Sequence, residues 1–127
     1  MPFVHEIRVR YGECDMQGVV FNANYLAYVD DAVDRWFATV LHGEGFGDSF
    51  DCMVKQATIE WSSPARRGEV LSLTPGVGRW GRTSFDVVVD GFVGERPVFR
   101  AQLVYVSVTP GRTDPCPVPD AVRSALG

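Results

Sequence analysis

Cysteine and histidine are scarce in this chain: Cys14, Cys52 and Cys116 are its only thiols, and His5 and His42 its only imidazoles. An odd number of widely spaced thiols, with no CxxC pair among them, fits reduced cysteines rather than a disulfide framework. Neither histidine belongs to an HxxxH pattern or to a Cys/His cluster of metal-ligand spacing, so no bound metal is expected. Both read as surface or edge residues. Basic charge is also short, with 12 Lys and Arg against 16 Asp and Glu, a net charge of -4. That balance works against nucleic-acid binding, because such modules carry a basic face. The opening Met1-Pro2-Phe3-Val4-His5-Glu6 lacks a basic segment followed by an apolar run. Neither a signal peptide nor a membrane anchor is expected from it, and a cytoplasmic location is the corresponding expectation.

What remains is enough for a core. Hydrophobic residues make up 46% of the 127 positions and charged ones only 22%, which argues against a disordered chain. With no composition break, residues 1–127 read as one domain. The 13 Gly and 8 Pro imply many turns between short elements.

Phe3, His5, Ile7, Val9 and Tyr11 alternate with more polar neighbours, the period of a strand with one buried face. The pattern stops at Gly12-Glu13-Cys14-Asp15-Met16-Gln17-Gly18, which reads as a loop. From about Asn24, the apolar positions Leu26, Val29, Val33, Trp36, Phe37, Val40 and Leu41 share one side of a helix. Asn22 or Asn24 can cap its start, Asp30, Asp31 and Asp34 lie in its N-terminal half, and Gly43 after His42 marks its end. Four extended segments follow, at about 52–61, 70–77, 82–90 and 97–108. Ser63-Pro64, Gly78 with Gly81, and Gly91 with Gly94 stand as the turns between them, and short connections favour antiparallel pairing. A Pro-rich tail ends in a short helix near Ala121. One long helix set apart from five antiparallel strands is an α+β fold. The open edges of such a sheet call for a partner, which oligomers commonly supply.

The chemistry is concentrated in Tyr11-Gly12-Glu13-Cys14-Asp15-Met16-Gln17-Gly18-Val19-Val20-Phe21-Asn22-Ala23-Asn24-Tyr25. A loop carboxylate precedes a helix start by a few residues. A carboxylate can activate water or attack a carbonyl, and free N–H groups at a helix N-terminus can hold the oxyanion that results. Spacing alone fits equally an aspartate that merely closes a turn, which is the commoner role. Cys14 has no histidine at a supporting position and reads as a packing residue. Arg66, Arg67, Arg79 and Arg82 are the local basic groups; the first two read as a solvated turn, while Arg82 reads as a binding residue. Asp30 falls on the helix stripe with Leu26, Val33 and Phe37, where an apolar residue is expected. A carboxylate there needs a hydrogen-bond donor, either on a ligand or on a tyrosine or arginine of the chain itself.

The stretch Asp15-x-x-Gly18-Val19-Val20, followed by Asn24-Tyr25 at the helix start, resembles the signature of the 4-hydroxybenzoyl-CoA thioesterase family of hotdog proteins. Trp80-Gly81-Arg82-Thr83-Ser84-Phe85 is similar to the basic strand-opening segment by which that family meets coenzyme A. The resemblance implies a hotdog fold, one long helix packed in a curved five-stranded antiparallel sheet. It also implies hydrolysis of an acyl-CoA thioester, such as 4-hydroxybenzoyl-CoA, to the free acid and coenzyme A. Asp15 is then the catalytic carboxylate, as nucleophile or general base. The carbonyl-polarising main-chain N–H falls on Asn22, where family members often place Tyr or His, and Gly18 lets the loop pass close to the ligand. Asp30 faces the acyl group, and Arg82, Thr83 and Ser84 contact coenzyme A. No cofactor is implied, since coenzyme A is part of the substrate, and a homodimer or homotetramer with sites between subunits is. Two alternatives stay open: a thioesterase acting on acyl carrier protein, against which the acidic balance argues, and a non-catalytic acyl-CoA-binding hotdog protein.

Overall fold

The computed structural model describes residues 2–41 and 50–127; His42 and Gly43, expected at the helix C-terminus, lie outside the described residues. Its strands are β1 (His5–Arg8), β2 (Asp51–Trp61), β3 (Val70–Trp80), β4 (Ser84–Val93) and β5 (Arg96–Val108). Helix α1 spans Asn24–Val40 and α2 spans Asp120–Leu126. All pairings are antiparallel, in the order β1-β3-β4-β5-β2. This is the α+β arrangement expected from the sequence.

Period-two alternation places Leu71 and Leu73 of β3, Phe85, Val87 and Val89 of β4, and Phe99, Ala101, Leu103 and Tyr105 of β5 in one core. Helix α1 closes that core with Tyr25, Tyr28, Val29, Ala32, Val33, Trp36 and Phe37. Their spacing is that of a single helix face. Leu26 stands outside it, exposed, at the margin of the face on which the sequence pattern places it.

Three local expectations are corrected. Neither Asn22 nor Asn24 caps α1: the capping position is Ala23, with no side-chain cap bond, and the Asn24 amide is engaged elsewhere. Gly78 and Gly91 are strand residues rather than turn residues. A Cβ at Gly91 would lie 2.2 Å from the Phe99 ring, and one at Gly78 would meet the Val88 methyl at 3.1 Å. These glycines admit neighbouring side chains, while the turns fall at 81–83 and at Gly94, whose φ of 60° favours glycine.

The two sheet edges differ. β1 has four residues, but β2 is an edge strand of 11, with Met53, Val54 and Trp61 about half exposed. Among the described residues no helix is long and apolar enough to cross a membrane.

Candidate active site

The loop that follows β1 folds back on itself as a small ribbon. The Asp15 N–H donates to the Val19 carbonyl (2.9 Å), the Gly18 N–H to the Asp15 carbonyl (3.0 Å), and the Phe21 N–H to the Glu13 carbonyl (3.0 Å). Gly18 adopts a φ of 78°, a conformation that disfavours any side chain, so the Asp-x-x-Gly spacing is set by turn closure. The ribbon is tied to the body of the protein by the Val20 N–H on the Ala65 carbonyl (2.9 Å). In turn the Ala65 N–H donates to the Tyr25 hydroxyl (3.1 Å), so α1 holds the same point.

Glu13 fixes the other side of the ribbon. Its carboxylate accepts from the Arg10 N–H (2.9 Å), the Arg10 guanidinium (3.0 Å) and the Tyr28 hydroxyl (2.9 Å). Its carbonyl accepts from the Asn24 amide (2.9 Å). Desolvation pushes the Glu13 carboxyl upward, but these bonds outweigh it and hold the group below its ordinary range. Burial, with Glu13 beside it, pushes the Tyr28 phenol upward, so it stays a donor. Asn24 and Tyr28 are one helical turn apart and reach the same residue. Sequence reasoning passed over this clamp; its signal is the i, i+4 pair of polar tips beneath the loop.

Asp15 is half-buried at the ribbon's tip. Its Oδ1 accepts from the Gln17 N–H (2.8 Å), so the turn-closing role is real. Among the described residues Oδ2 has no hydrogen-bond partner, and the side chain lines an open cavity of about 750 Å³ with Tyr11, Cys14, Met16, Gly18, Arg66 and Arg67. Helix α1 begins a few residues on. The Asn24 and Tyr25 N–H groups turn back onto the Phe21 and Asn22 carbonyls, whereas those of Asn22 and Ala23 donate no bond among the described residues. A free carboxylate oxygen on the ribbon and unbonded main-chain donors just beyond it at the helix entry thus belong to one continuous segment, while Asn22 lines a cavity other than that of Asp15, with Val19, Val20, Tyr25 and Trp61.

Asp30 does not face the core as the stripe implies. It is exposed, at the margin of the buried helix face, and lines a cavity of about 350 Å³ with Ala27, Val33, Phe37, Cys52 and Tyr105. The Tyr105 hydroxyl is fully buried and has no partner among the described residues. Burial, then the nearby thiol and Asp30, push its phenol upward; burial, then Asp51 and Asp30, push the Cys52 thiol up to about 12. Both groups remain protonated at neutral pH.

Arg82, Thr83 and Ser84 lie at the β3–β4 turn. The Arg82 carbonyl accepts from the Val118 N–H (3.0 Å) and the Arg123 guanidinium (3.2 Å), and the Arg82 guanidinium has no partner among the described residues. Arg79, by contrast, is engaged by Asp86, with both contacts at 3.3 Å. The ribbon of Asp15 sits at the opposite end of the sheet, beyond the pairing of Arg8 with Val70. The full length of β3 separates the two, roughly 30 Å at 3.3 Å per residue. One chain therefore does not bring Asp15 and Arg82 into one site. His5, read as an edge residue, ties β1 to α1 through a 2.7 Å contact with Asp31.

A long helix on a curved five-stranded antiparallel sheet, with a carboxylate on the loop that leads into that helix, defines a hotdog protein. The model of the thioesterase-like superfamily matches residues 9–126, and the chain belongs to that superfamily. Several solved structures share the fold. A 1,4-dihydroxy-2-naphthoyl-CoA thioesterase from Synechocystis is 20% identical, with 99% of this chain and 96% of that one covered at a TM-score of 0.81. A gentisyl-coenzyme A thioesterase is also 20% identical, with 98% of each chain covered and a TM-score of 0.81. A thioesterase-superfamily protein from Jannaschia is 19% identical, covering 98% and 90%, at 0.87. No curated protein matches the sequence.

Proposed function

We propose that the protein hydrolyses acyl-CoA thioesters, R-CO-S-CoA plus water giving R-COOH and free coenzyme A, with Asp15 as the catalytic carboxylate. The observation that carries the reading is the unpartnered Asp15 Oδ2 in an open cavity, on the ribbon that leads into the unbonded N–H groups of Asn22 and Ala23. As nucleophile, Asp15 adds to the thioester carbonyl and expels the thiolate of coenzyme A, leaving a mixed anhydride that water hydrolyses. As general base, it takes a proton from water while the oxygen adds to the same carbon. Both routes build an oxyanion, and the donor we assign to it is the Asn22 N–H. A thiol-release assay across benzoyl, 4-hydroxybenzoyl, phenylacetyl and straight-chain CoA esters tests the reading. No release from any of them would refute it.

The acyl group we assign is a hydroxylated aryl group such as 4-hydroxybenzoyl. Asp30 supports this: it lines a cavity walled by Phe37 and Tyr105 and forms no hydrogen bond among the described residues, so it can accept one from a substrate hydroxyl.

The site is completed by a second copy. Arg82 stands a strand's length from Asp15 in its own chain, and the exposed β2 edge offers unpaired main-chain groups along which another chain can add. With Thr83 and Ser84, Arg82 of one subunit meets the phosphate-bearing part of a coenzyme A bound at Asp15 of the other. Sedimentation should then show at least a dimer at micromolar concentration. Arg82→Ala should raise KM for CoA esters and spare kcat, because a remote contact equal in ground and transition states contributes uniform binding. A fully active monomer, or an unchanged KM, would contradict this arrangement.

A further inference from the structure

Two arginines share the cavity of Asp15 without pairing with its carboxylate. Arg66 and Arg67 follow β2 on an exposed turn and line the same 750 Å³ space. Among the described residues neither forms an ion pair. Glu69, the carboxylate on that turn, is occupied by the Arg96 guanidinium at 3.0 and 2.9 Å and by the Arg66 backbone N–H at 2.7 Å. Arg67 lies instead over the Tyr11 ring, 5.9 Å from its centroid.

The turn is held rigidly. The Gly68 N–H donates to the Val9 carbonyl (2.8 Å), the Val9 N–H to the Glu69 carbonyl (2.9 Å), and the Arg8 guanidinium to the Gly68 carbonyl (2.8 Å). Adjacent like charges repel, and a chain of net charge -4 has acids enough to neutralise them. A hydrogen-bonded turn that leaves both guanidinium groups without an ion pair beside an open cavity suits an anionic ligand, for which arginine offers paired N–H donors.

The direction of the ligand follows from the ribbon. The Asp15 cavity shares no lining residue with a second one, along α1, lined by Glu13, Asn24, Tyr28 and Asp31. An acyl group that follows α1 toward Asp30 leaves the coenzyme arm to run out on the arginine side. We propose that Arg66 and Arg67 bind a phosphate of coenzyme A in the same chain that supplies Asp15, a contact additional to that of Arg82 from the other subunit. The proposal rests on the thioester reading.

The test compares the CoA ester of one acyl group with its N-acetylcysteamine thioester, which lacks every phosphate. In the double variant Arg66→Ala/Arg67→Ala, KM for the CoA ester should rise about tenfold or more while that for the short thioester stays unchanged. Raising the salt should weaken wild-type use of the CoA ester and leave the double variant less affected, because charge contacts near the surface are screened. Arg66→Lys/Arg67→Lys should recover part of the loss. Equal losses on both thioesters would place the arginines on the acyl group or in loop support, and would overturn the proposal. Calorimetric titration of free coenzyme A separates this outcome from failure of the hydrolytic reading, since it needs no turnover. Equal affinity of wild type and double variant for coenzyme A overturns the phosphate site whatever the activity.

Discussion

Replacing Asp15 with asparagine should lower kcat by about 10² or more, the scale of a positioned acid–base or nucleophilic group, with little change in thermal midpoint. Asparagine is the informative choice because Asp15 does two things. Its Oδ1 accepts the Gln17 N–H and helps to close the turn, a bond that an amide oxygen preserves. Only the charge and the basicity of the free oxygen are lost. Alanine would remove the turn bond as well and confuse loop geometry with chemistry. Wild-type turnover in Asp15→Asn would remove the residue from the mechanism. A lost thermal midpoint would show that the turn depends on the charge itself.

Selectivity for a hydroxylated acyl group is the second large effect. 4-Hydroxybenzoyl-CoA should exceed benzoyl-CoA in kcat/KM by at least about tenfold, roughly 1.4 kcal/mol, and Asp30→Ala should narrow that ratio. The physical ground is that a polar site closed over a ligand without its hydroxyl is left with unpaired groups. Here Tyr105 sharpens the argument, since its buried hydroxyl already lacks a partner in the cavity that Asp30 lines. If Asp30 served only the protein, its replacement would lower stability and leave the ratio of the two substrates unchanged.

Much of this was legible in the sequence, and the remainder was hidden for identifiable reasons. The alternation in β4 and β5 and the apolar face of α1 are local periodicities, so the α+β order and the helix could be read directly. The loop and its turn-closing aspartate were legible because Asp-x-x-Gly is itself a turn geometry, while its pairing into a ribbon was not. Gly78 and Gly91 were misread because their cause is a side chain on a neighbouring strand, which no window along the chain contains. The exposure of Asp30 turned on one step around the helix, about 100°, at the edge of its apolar face. That Arg82 and Asp15 lie at opposite ends of the sheet needed the register of β1 on β3, and hence the tertiary fold. The clamp around Glu13 was missed because Tyr28 reaches the locally paired Arg10–Glu13 only after the loop has folded against α1.

The strand order also bears on how the site is assembled in time. β3, β4 and β5 are consecutive and pair as neighbours, whereas His5 must find Leu73 and Asp51 must find Val108. Chain-closure entropy therefore weighs on the two edge strands and little on the central meander. The contacts that hold the Asp15 ribbon, Val9 on Glu69 and Val20 on Ala65, belong to the distant closures. Pulse-labelled hydrogen exchange during refolding should protect the amides of β4 before those of Val9 and Val20. Protection of the ribbon amides at the same time as β4 would contradict that order. On this order, catalytic competence is among the last properties the chain acquires, and the long apolar-tipped β2 edge stands unpaired while it does so.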